Sequence, residues 1–370
     1  MGLEAALFFD RWAELPSGFW LGVFFVVGCC VGSFLNVVIH RMPLGESIVS
    51  PPSHCPHCRY AIPAWLNIPL LTWLMLRGRC RNCGAPISIR YFLVELLTGL
   101  AFAACWWRAG EFSAAVAVVF AVVLAGLIAA SFIDLAHYII PDEITKGGMV
   151  VGLLCSFLVP ALHGQPNAAG GLVMGGIGAV AGGGLIYAVV RLGKLLFGRQ
   201  RVKLPPDTRV TFTEDGLLLP AGLVPFEEIF YRDSDTVRVE GRRVEMVDRG
   251  YAEAVVRLSP KRLRIGDDEF DPATVPHLEM IADRLVLPRE AMGLGDVKFM
   301  AAIGAFLGWQ AVVFTLFASA VLGTLGGGLM LLARRGQGSR VIPYGPYLAL
   351  AATVWIFRGP ELVAWFLQTR

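Results

Sequence analysis

The sequence predicts an all-α polytopic membrane protein of seven or eight transmembrane helices, with a cytoplasmic tetracysteine loop and an inserted, small β-rich soluble domain. Three observations predict it. Of 370 residues, 55% are hydrophobic and only 16% charged, with a mean hydropathy of +0.61, which does not describe a soluble globular chain. Apolar runs near the roughly 20 residues needed to span a hydrocarbon core of about 30 Å recur along the chain. Charge is concentrated instead in one block, since residues 200–290 hold 32 of the 61 Lys, Arg, Asp and Glu residues.

Taken in order, the apolar runs place helices over 17–39, 92–107, 113–133, 147–163, 170–197, 310–333 and 344–367. The run at 297–308 is too short to cross unless neighbouring protein shelters it. Before the first run stand Glu4, Asp10, Arg11 and Glu14, not the basic n-region of a cleavable signal peptide, so residues 1–39 are read as a retained first transmembrane segment. Residues 40–91 carry Arg41, Arg59, Arg77, Arg79, Arg81 and Arg90 against one acid, Glu46. The excess of arginine makes this loop cytoplasmic. The connections at 108–112 and 160–168 hold one Arg and no Lys, whereas Lys194, Arg199, Arg201 and Lys203, and later Arg334, Arg335 and Arg340, mark the other side. The alternation gives an outside N-terminus. It also puts the turn at 134–146 on the basic side, yet that turn is acidic, with Asp134, Asp142 and Glu143 against Lys146. Acid where base is expected suggests function.

Residues 92–199 are therefore transmembrane helices carrying Asp134, residues 200–290 the soluble insert, and residues 291–370 a Gly-Leu-Gly-Asp segment with the C-terminal helices. Within the insert, runs such as Arg209-Val-Thr-Phe-Thr and Asp235-Thr-Val-Arg-Val-Glu alternate apolar and polar residues between turn formers, the pattern of short strands. A helix is expected to close it around 274–285. With 14 basic and 18 acidic residues the insert is mildly acidic and holds no nucleic-acid motif; its plainest reading is a folded spacer or docking surface.

The loop contains Cys55-Pro-His-Cys58 and Cys80-Arg-Asn-Cys83. Two C-x-x-C turns at this separation suit a tetrahedral structural zinc with Cys55, Cys58, Cys80 and Cys83 as ligands. A thiol–disulfide enzyme is the competing reading, disfavoured by the cytoplasmic placement. The apolar stretch from Ile62 to Leu76 is too short to cross and is expected on the membrane surface or over the cysteine ribbon. Cys29, Cys30, Cys105 and Cys155 fall in predicted spans and read as packing residues.

Acids at a membrane boundary are expensive and are kept mainly when they act. Asp134 ends the apolar run Ala129-Ala-Ser-Phe-Ile133, six residues ahead of Pro141-Asp142, and Asp296 ends Gly293-Leu-Gly-Asp immediately before another apolar run. Gly293 and Gly295 would permit close backbone approach. If the two acids converge, repulsion and desolvation leave one protonated beside one ionised, the pair that aspartyl proteolysis requires. Taken singly, each acid could equally be an interfacial residue capping a helix. Asp142 and Glu143 compete with Asp134 but lie in a more solvated turn, and Glu95, about one turn inside its span, is a further candidate for a functional acid.

At these residues the chain resembles the type IV prepilin leader peptidases, which are also N-methyltransferases. The matching blocks are Gly32-Ser-Phe-Leu-Asn-Val-Val-Ile-His-Arg-Met-Pro43, the tetracysteine loop, Ile87-Ser-Ile-Arg-Tyr91 leading into Val94-Glu95-Leu-Leu-Thr98, and Ile133-Asp134 with Ile140-Pro-Asp-Glu-Ile-Thr145. They continue with Ala291-Met-Gly-Leu-Gly-Asp-Val-Lys-Phe-Met300, Gly304-Ala-Phe-Leu-Gly-Trp309 and Ile342-Pro-Tyr-Gly-Pro-Tyr347. The resemblance implies a bacterial inner-membrane enzyme, its active site facing the cytoplasm, that cuts the short basic leader of prepilins or pseudopilins after a glycine. It implies methylation of the new N-terminal residue with S-adenosylmethionine. It further implies Asp134 and Asp296 as the catalytic pair, with Gly293, Gly295, Pro141 and Lys298 in support, and Asn36, Arg41, Arg90 and Glu95 as candidates for methyl transfer. No glycine-rich cofactor loop is visible.

The insert departs from the family, separating Phe197-Gly-Arg from Arg289-Glu-Ala-Met, and so does Phe92, where the family tends to have Pro. The insert is expected to shape access to the site or to dock pilus or type II secretion machinery; membrane lipid is the other expected partner. Two readings compete with prepilin processing. One is a related intramembrane aspartyl protease, distinguished by where it cuts; the other is a non-enzymatic zinc-loop assembly scaffold, which predicts that both acids can be lost.

Overall fold

The computed structural model describes residues 15–368, except 198, 214, 221, 231–234, 247–248, 276, 289–292 and 334–342. The four N-terminal charges, Arg334, Arg335, Arg340, Ile342 and the 289–292 junction lie outside the described residues, as do the side chains of Arg199 and Arg201. The chain divides into two units, one comprising Met1–Tyr187 with Leu294–Arg370, the other Ala188–Gly293.

Seven long helices among the described residues follow the apolar runs: α1 (Ser17–Arg41), α2 (Ile89–Cys105), α3 (Ala114–His137), α4 (Asp142–Leu158), α5 (Ala168–Phe197), α6 (Leu294–Ala333) and α7 (Gly345–Gln368). Among the described residues, six are long and apolar enough to cross a membrane; α4, at 17 residues, is not among them. Their ends are set by local chemistry. Ser88 caps α2, its side chain accepting from the Arg90 N–H, and so starts the helix ahead of Tyr91-Phe92. That start places Glu95 nearly two turns inside α2, deeper than the sequence suggested. Ser113 caps α3 in the same way, and α3 runs on to His137, where Tyr138 takes the left-handed conformation (φ 57°) and its N–H closes on the Asp134 carbonyl. Pro141 then opens α4, so Asp142 and Glu143 form an acidic first helical turn, not the expected free turn, though both are exposed. Their charge suits the helix N-terminus.

The short run at 297–308 proves to be the first part of α6. Gly308 breaks this helix at φ 81° and ψ 172°, a backbone that side-chain-bearing residues avoid. Residues 299–308 are all buried, which is how an incomplete span is accommodated. Close packing against α5 provides the shelter: a Cβ on Gly178 would collide with the Gly304 carbonyl, so the two backbones meet through small residues, the usual way helices approach inside a bilayer.

The two ends of this unit differ. At one, Leu35, Val38 and Ile39 of α1 pack with Val94 and Ile133, and Met42, Ile48 and Ile144 close over them. At the other, Trp20 and Trp106 pack with Ala109 and Ala117. The Asp134 end of α3, the start of α4 and the start of the arginine-rich loop therefore share one end.

Among the described residues, the second unit forms a nine-stranded antiparallel sheet: β1 (Arg199–Phe212), β2 (Gly216–Leu219), β3 (Gly222–Pro225), β4 (Val237–Met246), β5 (Gly250–Ala252), β6 (Val255–Ser259), β7 (Arg262–Ile265), β8 (Asp268–Phe270) and β9 (Leu278–Pro288). The order is β3-β2-β1-β9-β4-β6-β7-β8, with β5 on β4. Val210, Val239, Val256, Leu278, Met280 and Leu285 belong to its core. The helix expected at 274–285 is overturned: this stretch is mostly the central strand β9, whose Leu278, Met280 and Ala282 alternate inward before an irregularity shifts the period to Leu285. β1 and β9 pair from Phe212–Leu278 back to Arg199–Pro288, so the two ends of the insert lie side by side.

Candidate active site

Asp134 sits in the last turn of α3, 6% exposed, where its Oδ2 accepts a hydrogen bond from the Gly345 N–H at 2.9 Å. The fit is tight: a Cβ at residue 345 would stand 2.7 Å from that oxygen and 3.1 Å from Ile140 Cδ1. Asp296 lies in the first turn of α6, half-buried, and Ser319 Oγ, farther along the same helix, is 2.8 Å from the hydroxyl of Tyr344. Ile140 links the two sides, because a Cβ on Gly295 would meet it at 3.7 Å. The C-terminal turn of α3, the chain at 138–141 and the N-terminal turns of α6 and α7 thus converge on Ile140, with Asp134 bonded to Gly345 and Asp296 next to Gly295.

The supporting residues are distributed around this point. Pro141 turns the chain from α3 into α4 and its carbonyl accepts from Thr145 Oγ1 at 3.3 Å. Lys298 reaches Asp142 at 2.6 Å, and Asp142 is held from the other side by Lys146 at 2.7 Å. Hydrogen bonds to Lys146 and then Lys298 keep Asp142 down at about 2. Asp142 is therefore a charge tie between α4 and α6. Gly293 is exposed. Gly295 leaves room for a methyl group, so the demand for close approach falls on Gly345. Tyr344, Gly345 and Ser319 were not singled out from the sequence; only the Pro-Tyr-Gly-Pro-Tyr motif carried a signal for the first two.

The four loop cysteines come together, all Sγ atoms within 4.8 Å of one another. Cys55–Cys83 and Cys58–Cys80 stand at 3.8 and 4.0 Å, against about 3.8 Å for tetrahedral thiolates with metal–sulfur bonds of about 2.3 Å. The two knuckles repeat one design: Arg59 N–H bonds the Cys55 carbonyl and Gly84 N–H the Cys80 carbonyl, with Arg59 at φ 55° and Gly84 at φ 71°. Asn82 and a backbone bond at Tyr60 hold Cys58 down to about 6, whereas Cys83, despite a backbone bond at Ala85, is pushed up to about 11 by burial and its sulfur neighbours. A bound dication would relieve that repulsion. Between the knuckles the apolar stretch forms two short helical turns, and Trp65, Leu71 and Met75 are exposed on it.

The remaining candidates line the seam of α1 and α2. Asn36 is buried, its amide donating to Tyr91 O at 3.0 Å. Glu95 is 8% exposed and accepts from the Leu70 N–H at 2.7 Å. Arg41, also buried, donates to the carbonyls of Ser47 and Pro51 at 3.1 and 2.8 Å, which makes it a strut of the loop. Arg90 lies against Tyr91 with a buried, unpartnered Nε. Cys29 and Cys105 are buried within spans, Cys155 is half-buried and Cys30 exposed.

A model of the bacterial peptidase A24 N-terminal domain matches residues 26–109, and one of the type IV leader peptidase family matches 121–204 and 277–328. The gap between the latter segments falls within the inserted sheet. A "Prepilin leader peptidase/N-methyltransferase" of Myxococcus xanthus is 54% identical over 133 residues, 36% of this chain and 39% of that protein. One of Aeromonas hydrophila is 30% identical over 385 residues, 96% of this chain and 97% of that protein. An Escherichia coli "Type 4 prepilin-like proteins leader peptide-processing enzyme" is 44% identical over 172 residues, 41% of this chain and 62% of that protein. No solved structure matches. Similarity to the Aeromonas protein along nearly the whole of both chains, together with the match to the family model, places this chain in the type IV leader peptidase family.

Proposed function

We propose that this protein is a membrane aspartyl endopeptidase that removes the basic leader of type IV prepilins or pseudopilins at the cytoplasmic face, then methylates the new N-terminal residue with S-adenosylmethionine. The observation that carries the peptidase reading is the convergence of the Asp134 and Asp296 turns on Ile140 and Gly345. In this reading one carboxylate takes a proton from the attacking water while its protonated partner polarises the scissile carbonyl and later protonates the leaving amine. The Gly345 N–H fixes one Asp134 oxygen, leaving the other to act, and the Asp142–Lys298 pair holds the first turn of α6 in place. The arginine-rich loop begins at the same end of the helices as Asp134, which supports a cytoplasmic site in a bacterial inner membrane.

The donor set Cys55, Cys58, Cys80 and Cys83 fits a structural zinc, which would fix the fold of the loop. For methyl transfer, the unpartnered Arg90 Nε and Asn36 Oδ1 and the buried Glu95 offer one donor and two acceptors, a set that fits a ligand bearing both carboxylate and cationic groups. S-adenosylmethionine supplies the methyl group when bound; these residues would hold and orient the reacting partners.

Co-expression with a prepilin of the same organism tests the peptidase reading. Asp134→Asn and Asp296→Asn should each lower cleavage by about 10³-fold or more, read from the mass of the pilin N-terminus, with the variants still folded. Retained cleavage in either variant sinks the pair; loss in both also rules out the scaffold reading.

A further inference from the structure

The buried polar groups between α1 and α2 are matched unevenly. Asn36 is 1% exposed; its amide nitrogen donates to Gly32 O at 3.3 Å and Tyr91 O at 3.0 Å, while its Oδ1 is buried with no partner. Glu95 accepts from the Leu70 N–H and from Ser33, and among the described residues no Lys or Arg is paired with it. Two elements thus present acceptors without enough donors, and one acceptor is a buried carboxyl group with no cationic side chain paired to it among the described residues. Such groups are costly to bury and seldom left unmatched.

The geometry gathers these acceptors in one seam. Glu95 follows Tyr91 by four residues, on the same face of α2, and Asn36 follows Ser33 by three on α1. The helices touch directly here, since a Cβ on Gly32 would lie 2.7 Å from Glu95 Cα. The tetracysteine loop contributes Leu70, held at φ 61° and ψ −52°, a backbone that leucine rarely adopts, with its N–H on Glu95. A strained loop residue fixed on a buried acid suggests a site built for a ligand.

We infer that Glu95 and Asn36 Oδ1 form a site for an organic cation. Both reactants of an N-methyl transfer carry such a group: the α-ammonium of the residue freed by leader removal, and the ammonium and sulfonium of S-adenosylmethionine. A carboxylate and an amide oxygen accept from, or neutralise, either one and repel anions. This assignment rests on the proposed methyltransferase reading and adds the residues that recognise its charge.

The test uses the purified full chain, wild type, Glu95→Gln and Glu95→Asp, with three probes. These are a synthetic peptide of the processed pilin N-terminus with a free amine, the same peptide N-acetylated, and S-adenosylmethionine. Glu95→Gln should weaken binding of the free-amine peptide or of S-adenosylmethionine at least about tenfold and abolish methylation. It should leave the acetylated peptide unaffected and cleavage within about twofold of wild type, while Glu95→Asp restores part of the binding. The affected arm identifies the source of the cation. Unchanged binding of both cations in Glu95→Gln overturns the site. So does joint loss of cleavage and binding in both variants, which would mark Glu95 as structural. A wild type that binds the cations yet never methylates would overturn the methyltransferase reading alone.

Discussion

At the scale of single residues, the position most sensitive to small change is Gly345. Its N–H bonds Asp134, and its missing side chain leaves the space that the carboxylate fills. Gly345→Ala should push Asp134 aside and lower kcat/KM by about 10- to 100-fold, since displacement near 1 Å can cost that much, with little change in melting temperature. Equal losses of activity and stability would show a packing defect instead. Asp142 allows a pH test. Its folded pKa of about 2 lies below the unfolded value of about 3.9, so its pairing stabilises the protein above about pH 4 and that contribution fades as pH falls through about 2. The difference in melting temperature between wild type and Asp142→Asn should therefore be level from pH 7 to about pH 5 and close between about pH 4 and pH 2.

At the scale of elements, the tetracysteine knuckles fold by local hydrogen bonds that join only a few residues each, and a metal bound by all four thiolates would tie the pair together where Asn82 already reaches across to Cys58. The purified chain should carry one zinc, and stripping it with a chelator should speed amide exchange across 55–87, including Leu70, while α3 and α6 keep their protection. Elements were legible in the sequence to different degrees, for physical reasons. Apolar length located the long helices among the described residues, because a hydrocarbon core imposes it, although α4 begins at Asp142 and falls short of a span and the run at 297–308 belongs to α6; the cysteine spacing located the knuckles. Asp134 stood out as an acid ending one apolar run and Asp296 as an acid just ahead of another. β9 was misread because Leu-Glu-Met-Ile-Ala-Asp-Arg-Leu is rich in helix formers; its pairing with β1 and β4 on both sides overrides that preference. Tyr344 and Gly345 were not read as site residues because their roles exist only once three chain segments meet. The depth of Glu95 followed from the cap at Ser88, which periodicity does not register.

At the scale of the whole molecule, the chain combines a helical unit that carries every candidate catalytic group with a sheet that carries none of them. The sheet begins and ends in paired neighbours, Arg199 opposite Pro288, so a short Gly-Ser linker can replace it between its two ends. The family match also skips 205–276, which argues that the peptidase does not need the sheet to fold. What the sheet adds is charge: its 14 basic and 18 acidic residues give the block 200–290 a negative balance, while the leader it would encounter is basic. Long-range attraction of this kind raises the association rate and is screened over about 10 Å at 0.1 M salt. Excision should therefore leave kcat unchanged and lower kcat/KM for a basic-leader prepilin several-fold at low ionic strength, with the difference vanishing as salt rises. A deficit that persists at high salt would instead assign the sheet a contact role, and no deficit at any salt would remove it from substrate capture, leaving recruitment of assembly machinery as its reason to be there.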